Sequence, residues 1–412
     1  MRSGLTRLLF IVVAGLFLLG LWKGYYHGGQ DFRVFEAAAR FAREEKWDAL
    51  YHEGPDRFLY APGFAIIFAP FTILPTPIFH AIWLGFTALS FFLVMKYFAK
   101  KVGAVPVLFA TLFSMRAIWI DLRYGQTNLL IFSAALFALL VWVDSCSRLR
   151  TLGISWFLLG VGIVTKLYPF ALLAFPAVRL ARSFFSNSSD RRPWLRDFTA
   201  VACAVLGGLT LLLLPFIFAP GFGGFLCGEW MDALARKGFP TDTHNQSFLA
   251  FLYRAFSGEP FQSLGLGATP LRSPFQFLGT TEIKLIWGVA TLGMGGLFLL
   301  ESWRASNAQN KIKNVAYGMA LCFLPAHLIW KSYFIFGMPL VAVLAARGKW
   351  LPLIILGCVL SFSSNSILGA VPAAWCEALS LFLWVHVTVI GWATFSKEKR
   401  DSEAEKAEPI WT

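Results

Sequence analysis

Charged residues are scarce in this chain: they make up 14% of its 412 residues, whereas soluble domains usually carry about 25%. Hydrophobic residues make up 57%, and the mean hydropathy is +0.62. Long uncharged runs recur from end to end, so the composition excludes an ordinary soluble protein and predicts an integral membrane protein. The runs are continuous and do not alternate apolar with polar residues, which argues against a β-barrel.

Cysteine motifs and familiar catalytic signatures are also missing from the sequence. The six cysteines form no CxxC pair and lie mostly in apolar runs, so we expect neither a disulfide framework nor a zinc site. There is no HExxH, P-loop or GxSxG motif. Glu229 and Asp232 could suggest a metal, but two acids on one helix are more often a solvated face.

The positive charge, +13 overall, is concentrated in short polar segments such as residues 179–196 and 304–313. Basic loops of this kind are typical of the cytoplasmic side of a polytopic protein, so we predict no nucleic-acid binding. Arg2 and Arg7 place the N-terminus in the cytoplasm. The loop 23–60 then lies on the outer face of the inner, or plasma, membrane.

Apolar runs predict an all-α polytopic protein with about 11–13 transmembrane helices in a single domain, residues 1–396. The proline-interrupted run 61–75 could be a kinked span or a re-entrant segment. The threading that returns Lys100 and Lys101 to the cytoplasm requires that it does not cross the membrane fully. The polar tail, residues 397–412, is predicted to be disordered and cytoplasmic.

The stretch from residue 28 to residue 51, GGQDFRVFEAAARFAREEKWDALY, is the first charged segment after the apolar start. Phe32 and Phe35 recur at helical spacing, and charged residues populate the other side. This pattern predicts an amphipathic helix that lies on the membrane surface, within the outer loop 23–60. Asp31 stands at its start, where it is either an N-cap or a catalytic group.

Five further stretches place polar side chains near predicted membrane boundaries: FLYAPGFAIIFAPFTILP, DLRYGQTNLL, GIVTKLYPF, THNQSFLAFLYR and LPAHLIWKSY. Polar groups at membrane depth are costly and favour a functional cavity. Structural alternatives stay open at this point. Arg123 could pair with Asp121, Lys166 could extend its stem to the interface, and Trp330 could be an interface anchor. The segment around His244 could be the capped start of a helix.

In this order and spacing, the quoted stretches resemble glycosyltransferase family 87, which uses polyprenol-phosphate sugars. The resemblance extends from residue 5 to residue 345 and implies a GT-C fold, with an outer-face active site under amphipathic juxtamembrane helices. It also implies a donor such as polyprenyl-phosphate mannose or arabinose. The family's later motif, Ser-Pro then Trp then His, is only partly present, because LPAHLIWKSY keeps Pro325 and Trp330 but displaces His327.

The resemblance assigns the catalytic carboxylate to Asp31, which would take a proton from the acceptor hydroxyl in an inverting transfer. Such general-base help is worth about 10²–10⁴-fold. Cations would offset the charge of the leaving lipid phosphate, with Lys166 first and Arg123, Lys331 and Arg254 behind it. Candidate substrate contacts are Tyr60, Gln126, Asn128, Tyr168, His244, Asn245, Gln246, His327 and Trp330. No metal or other cofactor is expected, because a monophosphate leaving group needs less charge compensation than a diphosphate.

Three functions fit these observations. The first is a glycosyltransferase that moves mannose or another pentose or hexose from the lipid donor to a glycolipid or glycan acceptor. The second is a transporter or flippase that moves a glycolipid without chemistry, since broken helices and intramembrane charge suit both. The third is an assembly subunit that retains the fold without activity. Paired repeats, which many transporters show, are not found in the sequence.

Overall fold

A computed structural model of the protein describes residues 2–54, 58–144, 146–185, 192–236, 241–262, 270–273, 275, 277–307 and 311–395. The predicted tail 397–412 lies outside these residues. Within them the regular structure is entirely helical, with a single antiparallel bridge between Phe261 and Leu271. The predicted all-α class is therefore confirmed.

The first ten α-helices run from the N-terminus to residue 218. They are α1 (Arg2–His27), α2 (Gln30–Arg43), α3 (Pro62–Phe68), α4 (Thr76–Val102), α5 (Ala104–Phe113), α6 (Met115–Tyr124), α7 (Asn128–Val143), α8 (Leu149–Thr165), α9 (Ala174–Phe185) and α10 (Arg192–Phe218).

Nine further α-helices follow. They are α11 (Gly223–Arg236), α12 (Phe248–Phe256), α13 (Thr280–Asn307), α14 (Lys311–Leu321), α15 (Met338–Ala346), α16 (Trp350–Phe362), α17 (Asn365–Leu368), α18 (Ala370–Ala378) and α19 (Leu381–Phe395). Short 3-10 helices lie at Trp47–Ala49, Ala69–Ile73, Tyr168–Leu173 and Lys331–Gly337.

Four described helices are long and apolar enough to cross a membrane: α1, α4, α10 and α13. The pairs α5–α6 and α18–α19, bent by 62° and 50°, raise the number to six if each pair is one span. Five shorter apolar helices accompany them: residues 62–73, 128–143, 149–165, 331–346 and 350–362. The protein is thus a polytopic membrane protein, and the count of 11–13 spans stays a prediction.

The helix bundle has two polar ends. At the first, which we name the Asp31 end, the start of α2 meets the starts of α4 and α7 and the ends of α6 and α8. At the second, the Asp144 end, Lys101 Nζ lies 2.9 Å from the Asp144 carboxylate and Arg179 lies 2.6 Å from the buried carboxylate of Asp197. The Asp144 end carries the basic residues that predict the cytoplasmic side.

Residues 62–73 enter and leave the bundle on the same side. Their start follows Tyr60, whose ring packs edge-on against Phe35 of α2, with centroids 4.9 Å apart. At their other end, the Thr72 carbonyl accepts a hydrogen bond of 2.8 Å from Arg43, also in α2. Both ends therefore contact the same short helix, and whether the segment crosses the membrane stays open. In between, Gly63 packs so tightly against the Leu211 carbonyl of α10 that an added Cβ would overlap it.

The amphipathic helix predicted after the first span is α2, but its start differs from the prediction. Its N-cap is Gly29, at φ 56°, and Asp31 lies within the first turn and is not the cap. Glycine adopts this left-handed conformation without the steric cost that a side chain brings, and it sets the cap here. The N-cap interpretation of Asp31 is therefore wrong. A carboxylate in the first turn is still favoured by the helix dipole.

Candidate active site

The N-terminus of α2 is wedged between α4 and the turn that joins α6 to α7. Phe32 is fully buried and stacks on His80 of α4, with ring centroids 4.4 Å apart. In the turn, Gly125 has φ 66°, and a Cβ placed there would lie 2.7 Å from the Cβ of Phe32. The Gly125 carbonyl accepts a bond of 3.0 Å from the indole of Trp83. Asp31 is thus held beside this turn by packing on both sides of Phe32.

A buried polar contact fixes the middle of α2. Glu36 is 6% exposed, although it belongs to the face predicted to be polar. Its carboxylate accepts hydrogen bonds from Arg40 at 2.7 Å and from the Thr76 hydroxyl at 2.5 Å. A buried carboxylate needs such partners to offset lost hydration. Because Thr76 begins α4, this contact sets the position of Asp31 relative to α4.

Asp121 forms the base of a buried network at the Asp31 end. Its carboxylate accepts bonds of 3.2 Å from the backbone N–H groups of Asn128 and Leu129, and one of 2.8 Å from the Asn128 side chain. It therefore caps α7 from outside that helix. The predicted alternative, a pair between Asp121 and Arg123, is not formed. Arg123 is exposed and stacks over Tyr124 instead.

Asn128 links this acid to the lysine at the tip of the next hairpin. Its amide nitrogen also donates to Gln126 at 2.8 Å and to Ser332 at 2.9 Å. Its amide oxygen accepts a bond of 2.8 Å from Lys166 Nζ. Asn128 is 0% exposed, so we infer that it positions Lys166. The predicted direct contact between Asn128 and substrate stays untested and is not favoured by this burial.

Lys166 ends α8 in an extended conformation, and the 3-10 helix Tyr168–Leu173 follows it. Its ammonium lies 4.8 Å from the ring centroid of Tyr333 and 6.0 Å from that of Tyr60. Aromatic faces attract a cation at these distances. The Tyr168 ring packs against Tyr333, with centroids 4.7 Å apart. Lys166 therefore faces a group of three tyrosines.

Asp31 acts on two of the same tyrosines. The pKa of the Tyr60 phenol is raised well above its usual value, first by burial and second by the negative charge of Asp31. The Asp31 charge also acts on Tyr333. Tyr60 and Tyr333 are thus the shared neighbours of the Asp31 carboxylate and the Lys166 ammonium. The negative charge of Asp31 and the Lys166 ammonium both act on one aromatic group, which we name the tyrosine group (Tyr60, Tyr168 and Tyr333).

The predicted residues of the segment 243–247 join a different part of the structure. Asn245 donates to the His327 carbonyl at 3.0 Å and accepts from the Ile329 N–H at 3.1 Å. The Gln246 side chain donates to the carbonyls of Thr243 and Glu377. These bonds connect loops of the protein to one another. We infer that Asn245 and Gln246 shape the loop, and their predicted substrate contacts stay predictions.

Arg254 is buried and directs its donors at protein oxygens. It bonds to the carbonyls of Asp242, Asn245 and Ala378 at 2.8–2.9 Å and to the Ser380 hydroxyl at 2.6 Å. Burial lowers the pKa of its guanidinium to about 10, so it stays charged at neutral pH. These contacts favour a structural role over the predicted contact with phosphate.

His244 and its neighbours lie apart from the tyrosine group. The His244 ring packs against Trp330, with centroids 6.3 Å apart, and its Nδ1 lies 3.6 Å from the Asp242 carboxylate. Burial alone would raise the pKa of Asp242, but the contacts with His244 outweigh it and the pKa is lowered. His327 is exposed, and its backbone carbonyl accepts the bond from Asn245.

Lys331 was predicted to face phosphate, but the structure pairs it with an acid far along the chain. Its ammonium donates to Glu377 at the end of α18, and Arg116 lies 3.8 Å from the same carboxylate. The side chain of Lys331 is 10% exposed. An ion pair of this kind explains the lysine without a ligand, so its assignment to the donor phosphate is not supported by the geometry.

Sequence reasoning did not select three residues of this site: Asp121 as a cap, and Ser332 and Tyr333. Ser332 donates to Gln126 at 2.5 Å and accepts from Asn128, so it joins the Lys331–Gly337 helix to α7. Tyr333 follows Ser332 in the same helix. The signal for Asp121 is an acid that precedes the start of an apolar helix by seven residues.

Metal-binding geometry is not found among the described residues: no three His, Cys, Asp or Glu side chains lie close enough together to hold an ion. The expectation that no metal is needed stays a prediction.

Comparison with known proteins adds one match. Residues 58–330 match the model of glycosyltransferase family 87. No curated protein and no solved structure matches the chain. The matched residues include Tyr60, Asp121, Asn128, Lys166 and Tyr168, whereas Asp31 lies before them and Tyr333 after them.

Proposed function

The chain belongs to glycosyltransferase family 87, and from this premise we propose that it transfers a sugar from a polyprenyl-phosphate donor to a glycolipid or glycan acceptor. The protein is a membrane glycosyltransferase. We place the reaction at the Asp31 end of the bundle, on the outer face of the inner membrane, because the basic residues concentrate at the opposite end. The sugar is mannose or another hexose or pentose.

The observation that carries the proposal is the shared neighbourhood of Asp31 and Lys166. The transfer needs a base for the acceptor hydroxyl and a positive charge for the leaving phosphate. Asp31 acts electrostatically on Tyr60 and Tyr333, and Lys166 stacks on the same two rings. A sugar phosphate bound against these rings would have a carboxylate near the anomeric carbon and an ammonium near the phosphate.

The chemical step follows from these two groups. The acceptor oxygen attacks the anomeric carbon, and its proton passes to the Asp31 carboxylate. The bond between that carbon and the phosphate oxygen breaks with inversion, and the electron pair leaves with the lipid monophosphate. Lys166 offsets the charge that develops there. The apolar helices around the site offer the polyprenyl chain a dry environment.

Asp31→Asn provides the test. We expect purified protein, given polyprenyl-phosphate mannose and a membrane glycolipid fraction, to release polyprenyl phosphate. The variant should lose at least about 10²-fold in turnover and keep its thermal midpoint, because the neutral amide fits the same space. Asp48→Asn, an exposed acid in the same loop, is the matched control and should keep full turnover. An active Asp31→Asn enzyme would remove the proposed base.

A glycolipid flippase is the second candidate, and the polar network inside the bundle is the observation that favours it. Proteoliposomes distinguish the two functions. A flippase would move a labelled glycolipid between leaflets without release of lipid phosphate. Neither the wild type nor Asp31→Asn would then release lipid phosphate.

A further inference from the structure

We propose that the hydroxyl of Tyr333 binds the donor's phosphate and stabilises its charge as it leaves, as a second donor beside Lys166. The inference rests on the proposed function. The inference adds to the proposed function a residue that contacts the substrate, and this residue lies outside the part of the chain matched by the family model.

The position of Tyr333 follows from its helix. Ser332 precedes it and bonds to Asn128 and Gln126. Phe334 follows it and packs against His386 of α19, with centroids 5.3 Å apart. The two neighbours are thus anchored to different parts of the bundle. Tyr333, between them, is thereby directed towards Lys166, whose ammonium lies 4.8 Å from its ring.

The ring of Tyr333 is fixed by packing, and its hydroxyl is available for a ligand. The ring is 7% exposed and contacts Tyr168 at a centroid distance of 4.7 Å. Within the described part of the chain, the hydroxyl makes no hydrogen bond, and it is not among the fully enclosed polar atoms. A phenol at a buried site usually finds a partner. A phosphate oxygen would provide one.

The electrostatic setting suits a donor to an anion. The Lys166 ammonium lies 4.8 Å from the centroid of the Tyr333 ring, and the negative charges of Asp31 and Asp121 also act on the phenol. As a neutral group it donates a hydrogen bond and keeps its proton, so the proton of the acceptor still goes to Asp31. No further reactant is needed. A fixed donor aimed at developing charge needs no reorganisation during the reaction.

Tyr333→Phe removes the hydroxyl and keeps the ring. Native mass spectrometry of the full-length protein would compare binding of polyprenyl monophosphate with that of polyprenol, which lacks the charge. We expect the preference of the variant for the monophosphate over polyprenol to fall roughly 10-fold. Its turnover should fall about 10²-fold. Its affinity for polyprenol and its thermal midpoint should stay unchanged.

Tyr97→Phe is the matched control, because Tyr97 donates its hydroxyl to Asp144 at the opposite end of the bundle. It should keep the wild-type preference. Tyr333→Leu removes the ring as well and should also disturb Lys166.

The outcomes separate this inference from the proposed function. If the wild type shows no preference for the monophosphate and Lys166→Met changes nothing, the proposed function fails. If Lys166→Met abolishes the preference and Tyr333→Phe retains it, the role of Tyr333 alone is overturned.

Discussion

The Lys166 ammonium donates a hydrogen bond of 2.8 Å to the side-chain oxygen of Asn128. The acid of the network, Asp121, is held on the nitrogen side of that amide. Asn128 therefore orients Lys166 without neutralising it.

Asn128→Asp should reduce turnover more than its small change in shape implies. The new carboxylate would face Lys166 and stand beside Asp121, so it would compete with phosphate for the ammonium. We expect a loss of about 10²-fold in kcat, measured as release of polyprenyl phosphate. If Asn128 acts through Lys166, Asn128→Ala should cost little further turnover in a Lys166→Met background. Additive losses would contradict the positioning role.

Gly125→Ala should destabilise the protein and lower its activity. The substitution places a Cβ at φ 66° and 2.7 Å from the Cβ of Phe32, so the start of α2 must shift. A non-glycine residue in this conformation costs about 1–3 kcal/mol before the clash is counted. The thermal midpoint in detergent measures the loss. Gly85→Ala in α4 is the control, because its Cβ would meet nothing within 4 Å. An equal effect at both glycines would refute the packing argument.

Lys331→Met should lower stability, and a second substitution should restore part of it. The single change leaves Glu377 with Arg116 as its nearest cation, and breaking a buried pair costs about 3–5 kcal/mol. Lys331→Met with Glu377→Leu replaces both charges by apolar groups, which is often close to neutral. We expect the double variant to recover stability and turnover together. Recovered stability without turnover would instead support the predicted contact of Lys331 with phosphate.

Asp242→Asn should produce a stability loss that depends on pH. The contacts with His244 hold the pKa of Asp242 in the folded protein below its ordinary value of 3.8. Its charged form therefore stabilises the fold fully above that value, and the contribution disappears as the pH falls through the folded pKa. The difference in thermal midpoint between wild type and variant should be largest near pH 7 and shrink below about pH 4. A difference that is constant with pH would show that the charge is irrelevant.

The helices of the site could be predicted from the sequence because local patterns determine them. The amphipathic period of α2 and the apolar run of α7 both have the expected positions. The N-cap alternative for Asp31 is wrong because the left-handed Gly29 caps the helix two residues earlier. That choice depends on Phe32 fitting against Gly125, a contact between distant segments.

The partners of the charged residues could not be predicted, for the same physical reason. Lys331 and Glu377, or Lys166 and Asn128, are brought together only by the packing of separate helices. A sequence shows that a lysine lies in an apolar run and is therefore costly. It does not show whether an acid of the protein or a ligand offsets that cost. Only the folded arrangement distinguishes Lys166 from Lys331.

The tight contact between Gly63 and Leu211 bears on how the protein is assembled. Residues 62–73 form an apolar segment that is too short to span a bilayer as it leaves the ribosome. Its final place depends on α10, which is synthesised much later. Residues 62–73, which follow Tyr60, can therefore take their final position only after α10 has entered the membrane. Catalytic competence would then arise late in biogenesis, and chains truncated before α10 would insert their first spans without forming the site.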